Sequence, residues 1–182
     1  VAVIGLGPIG QLSARLHALT GARVVAADLS QARVDLARRA SIEAIIPQSG
    51  LTSAYADVFP DGADIIIDAT GIVAVLAQVF GLAKDVPWDD SQTEGARVVI
   101  QGSYPDTFSV PYQTAFTKQA TIHIPRDQQP RDLHACLDLM RRGKLHTRDL
   151  ISDVRSPEDA PQTYRDLQMA KGALLTVAFR WQ

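Results

Sequence analysis

A doubly wound α/β fold with a parallel sheet is predicted by three observations. Short apolar runs alternate along the chain with stretches of helical periodicity. The runs lack the polar alternation of half-exposed strands, as expected for strands that are covered on both faces. Four of the runs, at residues 1–4, 23–27, 65–67 and 97–101, are followed directly by a glycine or an acidic residue. Together these features indicate βαβ units that place their strands side by side in one sheet.

Residues 1–62 supply three of these strands. Residues 1–4 form the first strand. After the glycine-rich stretch that follows it, the spacing of apolar residues predicts a helix that ends at Thr20-Gly21. Residues 23–27 form a second strand before Asp28, and Ser30 is the predicted N-cap of a helix through Arg39. Residues 43–46 are predicted as a third strand and residues 53–59 as a short helix, before a turn at residues 60–62.

The apolar segment at residues 65–83 is almost long enough for a membrane span. Asp68 argues against a span, because a charged side chain inside a bilayer costs roughly 2.5–3.5 kcal/mol even on lenient scales. Three isoleucines before Asp68, followed by helical spacing from Ile72 onward, instead predict a strand at residues 65–68 and a helix at residues 72–84. We therefore predict no membrane association.

The second half continues the pattern and then changes. After a polar loop at residues 85–95, strands are predicted at residues 97–101 and 120–124. Beyond Pro125 we predict an amphipathic helix at residues 132–142, a helix from Pro157 to about Lys171, and a terminal strand at residues 173–179. The fold class is thus a doubly wound parallel sheet with a C-terminal tail of two helices and a strand.

Composition excludes several classes of protein. With 46% hydrophobic residues and a net charge of −2, the 182-residue chain is not disordered and has no basic stripe for nucleic acid. A single Cys excludes a disulfide framework, and the start shows no secretory signal, so we expect a cytoplasmic protein. Because Val1 already lies in an apolar run, we expect a fragment of a longer protein.

A glycine motif follows the first strand. Gly5, Gly7 and Gly10 form the pattern G-x-G-x-x-G between a strand and a helix, and an acid ends the next strand 18 residues later. Gly5 permits the tight turn, Gly7 lets a pyrophosphate approach the backbone, and Gly10 lets the helix pack closely on the strand. Pro8 suits the first helical turn, whose free N–H groups favour an anion. This predicts a Rossmann-type dinucleotide site; the alternative is a glycine turn that binds nothing.

Asp28 is the predicted ribose ligand. Its carboxylate can accept hydrogen bonds from both ribose hydroxyls, and it would repel a 2′-phosphate by roughly 4 kcal/mol at about 4 Å and an effective dielectric near 20. NAD is therefore expected in preference to NADP, although Arg33 could contact a 2′-phosphate. The alternative role for Asp28 is that of a helix-capping acid.

Several stretches resemble one known family. VAVIGLGPIG with Asp28 and Arg33, ADIIIDATG (63–71) and GARVVIQG (95–102) are similar to the coenzyme-binding half of medium-chain, zinc-type alcohol dehydrogenases. The likeness continues through LDLMRRGKLHTRDLIS (137–152) and PEDAPQTYRDL (157–167). QQPRDL (128–133) and the closing RW (180–181) also resemble bacteriochlorophyllide dehydrogenases.

The resemblance implies an oxidoreductase that exchanges hydride between NAD and a small alcohol or ketone, in a homo-oligomer. Residues 1–126 would be the NAD-binding domain, and residues 127–182 would complete a GroES-like catalytic domain that lies outside this chain and binds any catalytic zinc. The residues implied for the cofactor are Gly5, Gly7, Pro8, Ile9, Gly10, Asp28, Arg33, Thr70, Gly71, Gln101 and Gly102. The last four would approach the nicotinamide.

No catalytic or metal site is predicted within the chain itself. The four histidines do not stand at ligand spacing, and Cys136 lies on an apolar helical face typical of a core position. Ser103 and Tyr104 are predicted to form a plain turn after the strand that ends at Gly102; the alternative is a contact with a cofactor or substrate. A stand-alone NAD-sensing module without catalysis stays open as an alternative function, and the dehydrogenase-like tail favours the enzyme.

Overall fold

The main sheet consists of six parallel strands. The computed structural model describes residues 1–89, 91–92, 94–104, 106–169 and 174–181. The strands are β1 (Ala2–Ile4), β2 (Val25–Ala27), β3 (Glu43–Ile45), β4 (Ile65–Asp68), β5 (Arg97–Ile100) and β6 (Thr121–His123). Their order is β3-β2-β1-β4-β5-β6, so the chain reverses direction across the sheet between β1 and β4. The predicted doubly wound parallel sheet is confirmed.

Helices connect these strands on both faces of the sheet. They are α1 (Pro8–Leu19), α2 (Gln31–Arg39), α3 (Leu51–Ala56), α4 (Val73–Val79) and α5 (Tyr112–Thr117), and a 3₁₀ turn at Phe80–Leu82 continues α4. The predicted helix at residues 53–59 starts and ends earlier than expected. The six-residue α5 was not predicted, because one and a half turns are too short to show a period.

Successive strand residues enter two separate cores. Val3 belongs to the core under α1 and α2, with Ala14 and Val34, whereas Ile4 belongs to the opposite core, with Tyr55. This alternation explains why the strands read as unbroken apolar runs, since both faces of the sheet are covered. Among the residues described, none of the helices combines the length and apolar character that crossing a bilayer requires.

The C-terminal tail contains one strand more than expected. Its elements are α6 (Pro130–Arg141), β7 (Ile151–Arg155), α7 (Ala160–Met169) and β8 (Thr176–Phe179). β7 and β8 pair in parallel as a separate two-stranded sheet, so the predicted tail of two helices and one strand is corrected to include β7. The predicted helix end at Lys171 and strand start at Ala173 lie outside the described residues.

The apolar face of α6 is not a core face within this chain. No residue of α6 is buried, and Leu133 and Leu137 are 55% and 42% exposed. Cys136, which the sequence placed in a core, is only half-buried. The periodicity identified an apolar face correctly, but the described residues do not cover that face.

Candidate dinucleotide site

The turn after β1 has the geometry that its glycines predict. Gly5 has a φ of +87°, a conformation that favours glycine. A side chain at Gly10 would collide with the Gly5 carbonyl oxygen and would lie 3.5 Å from the Ala69 Cβ. Gly5 and Gly10 are thus required for the close contact of α1 with β1 and with the residue that follows β4.

Gly7 differs from the other two glycines because it faces open space. A Cβ built on Gly7 meets nothing within 4 Å, so the fold itself does not require glycine there. Gly7 is the N-cap of α1 and Pro8 occupies the first helical turn. The free N–H groups of that turn therefore lie beside a backbone that a ligand can approach. Ile9 is 54% exposed and does not pack in the core.

Asp28 connects the glycine turn to the start of α2. Its Oδ2 accepts a hydrogen bond from the Leu6 N–H at 2.7 Å, and its Oδ1 accepts one from the Ser30 N–H at 2.8 Å. The Arg33 Nη1 lies 3.5 Å from Oδ2, and the Asp28 side chain is 10% exposed. The carboxylate thus supports the N-cap residue, as the capping alternative proposed, and it also lies at the glycine turn, as a ribose ligand must.

A cleft opens at the carboxyl ends of the strands, where the strand order reverses. It has a volume of about 700 Å³, and its lining includes five of the predicted site residues: Gly5, Gly7, Asp28, Arg33 and Thr70. Apolar side chains that no sequence motif predicts form part of its wall, and they include Leu29, Leu51, Ile72 and Val75. Ligands of open α/β sheets bind at such a crevice.

The remaining predicted residues lie outside the lining of this cleft. Gly71 has a φ of +68°, and a Cβ there would lie 2.6 Å from the Ser103 carbonyl oxygen. A Cβ on Gly102 would collide with the Gly71 backbone nitrogen. The turns after β4 and β5 therefore contact each other backbone to backbone. Gln101 is half-buried, and its Oε1 has no hydrogen-bond partner among the described residues.

These two turns are also joined through Asp68, whose sequence position predicts only the end of a strand. Its Oδ1 accepts hydrogen bonds from the Thr70 N–H at 3.0 Å and the Thr70 hydroxyl at 2.7 Å. Its Oδ2 accepts one from the Tyr104 hydroxyl. Burial and, next, the bond to Asp68 raise the pKa of Tyr104. Tyr104 therefore makes a specific polar contact within the chain, which links the segment after β5 to the end of β4.

A zinc centre does not fit the residues that the structure describes. No group of three or more His, Cys, Asp and Glu side chains in the described ranges could hold a metal ion. The cleft lining contains no His or Cys, the residues whose nitrogen and sulfur ligands zinc prefers. Its polar residues suit a nucleotide instead, and they are Asp28, Ser30, Arg33, Thr70 and Gln78.

Comparisons with known proteins relate this chain to a family of enzymes. A family model described as zinc-binding dehydrogenase matches residues 8–141. The chain is 26% identical over 186 residues to a probable D-xylulose reductase A of Aspergillus clavatus and to the D-xylulose reductase A of Aspergillus oryzae. Each alignment covers 98% of this chain and 49% of the relative. The chain thus spans about half the length of the curated relatives it matches.

Solved structures confirm the fold. An alcohol dehydrogenase from Thermus sp. ATN1 superposes with a TM-score of 0.84 at 22% identity, over 100% of this chain and 50% of that one. An alcohol dehydrogenase from E. coli CFT073 complexed with NADH has a TM-score of 0.83 at 21% identity, over 99% of this chain and 51% of that one. A putative zinc-binding dehydrogenase from Sinorhizobium meliloti 1021 bound to NADP has a TM-score of 0.75 at 23% identity, covering 89% and 47%.

Proposed function

Because the chain belongs to the zinc-binding dehydrogenase family, as its coenzyme-binding domain, we propose that it binds NAD(H) in the cleft beside Gly7 and Asp28. In the whole protein this domain would support hydride exchange between the nicotinamide and a small-molecule alcohol or ketone. The single observation that carries the proposal is the open space at Gly7, at the N-terminus of α1, next to the Asp28 carboxylate.

Each part of a dinucleotide has residues suited to it. The N–H groups of the first turn of α1 would bind the pyrophosphate, and the glycine turn would let it come close. Asp28 would accept from the adenosine ribose, and the apolar wall at Leu29 and Ile72 would contact the adenine. The turns after β4 and β5 would hold the nicotinamide, which when bound supplies the hydride acceptor or donor.

NAD is proposed as the preferred coenzyme. A 2′-phosphate on the ribose would face the Asp28 carboxylate and be repelled. Arg33 makes this preference smaller, because its guanidinium lies beside Asp28 and could contact a 2′-phosphate. Its side chain is 28% exposed, and its Nε has no partner among the described residues. NADPH should therefore bind more weakly than NADH without being excluded.

Calorimetry with NADH and NADPH tests both the binding of NAD(H) in the cleft and the preference for NADH over NADPH. The informative variant is Asp28→Asn, because the amide oxygen can still accept from a backbone N–H whereas Ala would leave both Leu6 and Ser30 unpaired. The loss of charge-assisted bonds should weaken NADH binding by roughly 1.5–3 kcal/mol, and NADPH should bind better. Asp35→Asn removes the same charge from an exposed part of α2 and serves as the control. Failure of the wild-type protein to bind NADH would reject the proposal.

A homo-oligomer is the proposed assembly. β6 is an edge strand of the main sheet, and all three of its residues are exposed. The neighbouring Ile124, Tyr112 and Phe116 are 63%, 73% and 56% exposed. An unpaired strand edge beside exposed apolar side chains favours pairing with another chain.

A further inference from the structure

Asp68 is a fully buried carboxylate at the carboxyl end of β4, and the proposed function gives it no role. Its main-chain carbonyl accepts hydrogen bonds from the Gln101 and Gly102 N–H groups at 2.8 and 2.9 Å. Its side chain holds Thr70 on one oxygen and Tyr104 on the other. Asp68 therefore lies at the junction of the two turns that would hold the nicotinamide.

The negative charge of Asp68 is not neutralised by its neighbours. In the part of the chain that the structure describes, no Lys, Arg or His forms an ion pair with it. Its side-chain partners are one backbone amide and two hydroxyl groups, all of them neutral. Donors of this kind suit the ionised carboxylate without cancelling its charge. A net negative charge therefore remains under this end of the sheet.

The hydroxyl groups around Asp68 are oriented by it. The Thr70 hydroxyl donates to Asp68 and accepts from the Ile72 N–H at 3.1 Å. The Tyr104 hydroxyl also donates to Asp68, and it keeps its proton because burial raises its pKa. Both hydroxyl hydrogens are used by the carboxylate, so these groups can offer a ligand only oxygen lone pairs. Lone pairs reinforce the preference for a positively charged neighbour.

We propose that Asp68 biases the site toward the oxidised coenzyme. The nicotinamide ring of NAD⁺ carries a positive charge and that of NADH is neutral, so a nearby unpaired carboxylate stabilises NAD⁺ selectively. The inference rests on the proposed function, because that function places the nicotinamide at the ends of β4 and β5. It adds a role that shape and hydrogen bonding alone would not give, since those act almost equally on the two redox forms.

The test is the dissociation constant for NADH divided by that for NAD⁺. ADP-ribose serves as a reference ligand that lacks the nicotinamide. Asp68→Asn should lower this ratio by about five- to tenfold, through weaker NAD⁺ binding, and should leave ADP-ribose affinity within about twofold. Asp68→Ser is measured in parallel because the smaller hydroxyl can still accept a hydrogen bond. Tyr104→Phe removes one hydrogen bond and keeps the charge, so its ratio should stay close to that of the wild type.

The matched control is Asp64→Asn. Asp64 immediately precedes β4 at the opposite end of the strand, and its side chain is 76% exposed and paired with Lys84. The substitution removes one unit of charge at the far edge of the sheet, roughly 13 Å away for four strand residues, so the ratio should not change.

Three results would overturn the inference. The first is an unchanged ratio in Asp68→Asn. The second is an equal loss of NAD⁺ and NADH affinity with ADP-ribose binding intact, which would make Asp68 a positioning residue only. The third is loss of ADP-ribose binding in both Asp68 variants, which would assign the carboxylate to folding. Failure of the wild-type protein to bind any of the three ligands would instead reject the proposed function, and the inference with it.

Discussion

Arg15 of α1 binds Asp149 of the tail in a two-pronged ion pair, across 134 residues of sequence. Its Nη1 and Nη2 donate to the two carboxylate oxygens at 2.8 and 2.7 Å, and Nη1 also donates to the His146 carbonyl oxygen at 2.6 Å. The Arg15 side chain is only 6% exposed, so the pair holds the tail against the helix that carries the glycine turn.

Breaking this pair should destabilise the protein measurably. Asp149→Asn leaves a buried guanidinium without its counter-charge, and removing one partner of a buried pair costs about 3–5 kcal/mol. Asp149 is 41% exposed, so screening by solvent reduces the expected loss to about 1–3 kcal/mol. Denaturant unfolding gives the free energy. Asp138→Asn, which breaks the exposed pair with Arg142, is the control and should cost less than about 0.5 kcal/mol.

The same pair predicts a dependence of stability on acid. Hydrogen bonding from Arg15 lowers the pKa of Asp149 below its usual range. A folded-state pKa below the unfolded one adds stability above the ordinary carboxyl pKa of about 4, and this stability is lost as the pH falls through the lowered value. The difference in unfolding free energy between the wild type and Asp149→Asn should therefore shrink as the pH falls below about 4. A difference that stays constant as the pH is lowered would show that the charge is not responsible.

Strands that are covered on both faces could be predicted from the sequence, because they are continuous apolar runs. Elements and contacts that depend on a partner far away in the sequence could not be predicted. β1 and β4 are apolar runs because helices cover both sides of them. β7 has three exposed residues among its five, so no apolar run marks it in the sequence. Within the described ranges its pairing partner is β8, which follows after 20 intervening residues. In the site, the glycine turn and Asp28 follow from local spacing. The Asp68–Tyr104 hydrogen bond joins residues 36 apart, and only the pairing of β4 with β5 brings them together.

The two glycines of the α1 turn should respond differently to alanine. Gly10→Ala forces a methyl group onto the Gly5 carbonyl oxygen, so the turn must move, and both stability and NADH affinity should fall. Gly7→Ala meets nothing in the protein and should keep the unfolding free energy within about 0.5 kcal/mol. The added methyl group would lie where the pyrophosphate approaches, so NADH affinity should drop about tenfold or more. Equal NADH binding by Gly7→Ala and the wild type would place the pyrophosphate elsewhere.

Self-association through the β6 edge is testable by sedimentation velocity. The wild type should form a dimer or a larger species at micromolar concentrations, and Ile124→Lys should shift it toward monomer, because lysine beside an edge strand opposes strand pairing. Trp88→Lys introduces the same charge at a side chain that is 95% exposed in another loop, and it should leave the association unchanged. If the wild-type protein sediments as a monomer, the proposed homo-oligomer through the β6 edge is wrong.

The last prediction separates nucleotide binding from turnover. Hydride transfer from an alcohol also requires a group that stabilises the developing alkoxide, and in zinc-type enzymes the metal acts as that Lewis acid. The described residues offer no cluster that could hold zinc. The 182-residue chain should therefore contain less than one zinc ion per molecule by elemental analysis, although it should still bind NAD(H). It should also show no change in NADH absorbance with a panel of alcohols and ketones, with or without added zinc. A zinc-loaded alcohol dehydrogenase run in the same assay provides the positive control. Turnover by this chain alone would mean that one of its own side chains stabilises the alkoxide or takes its proton.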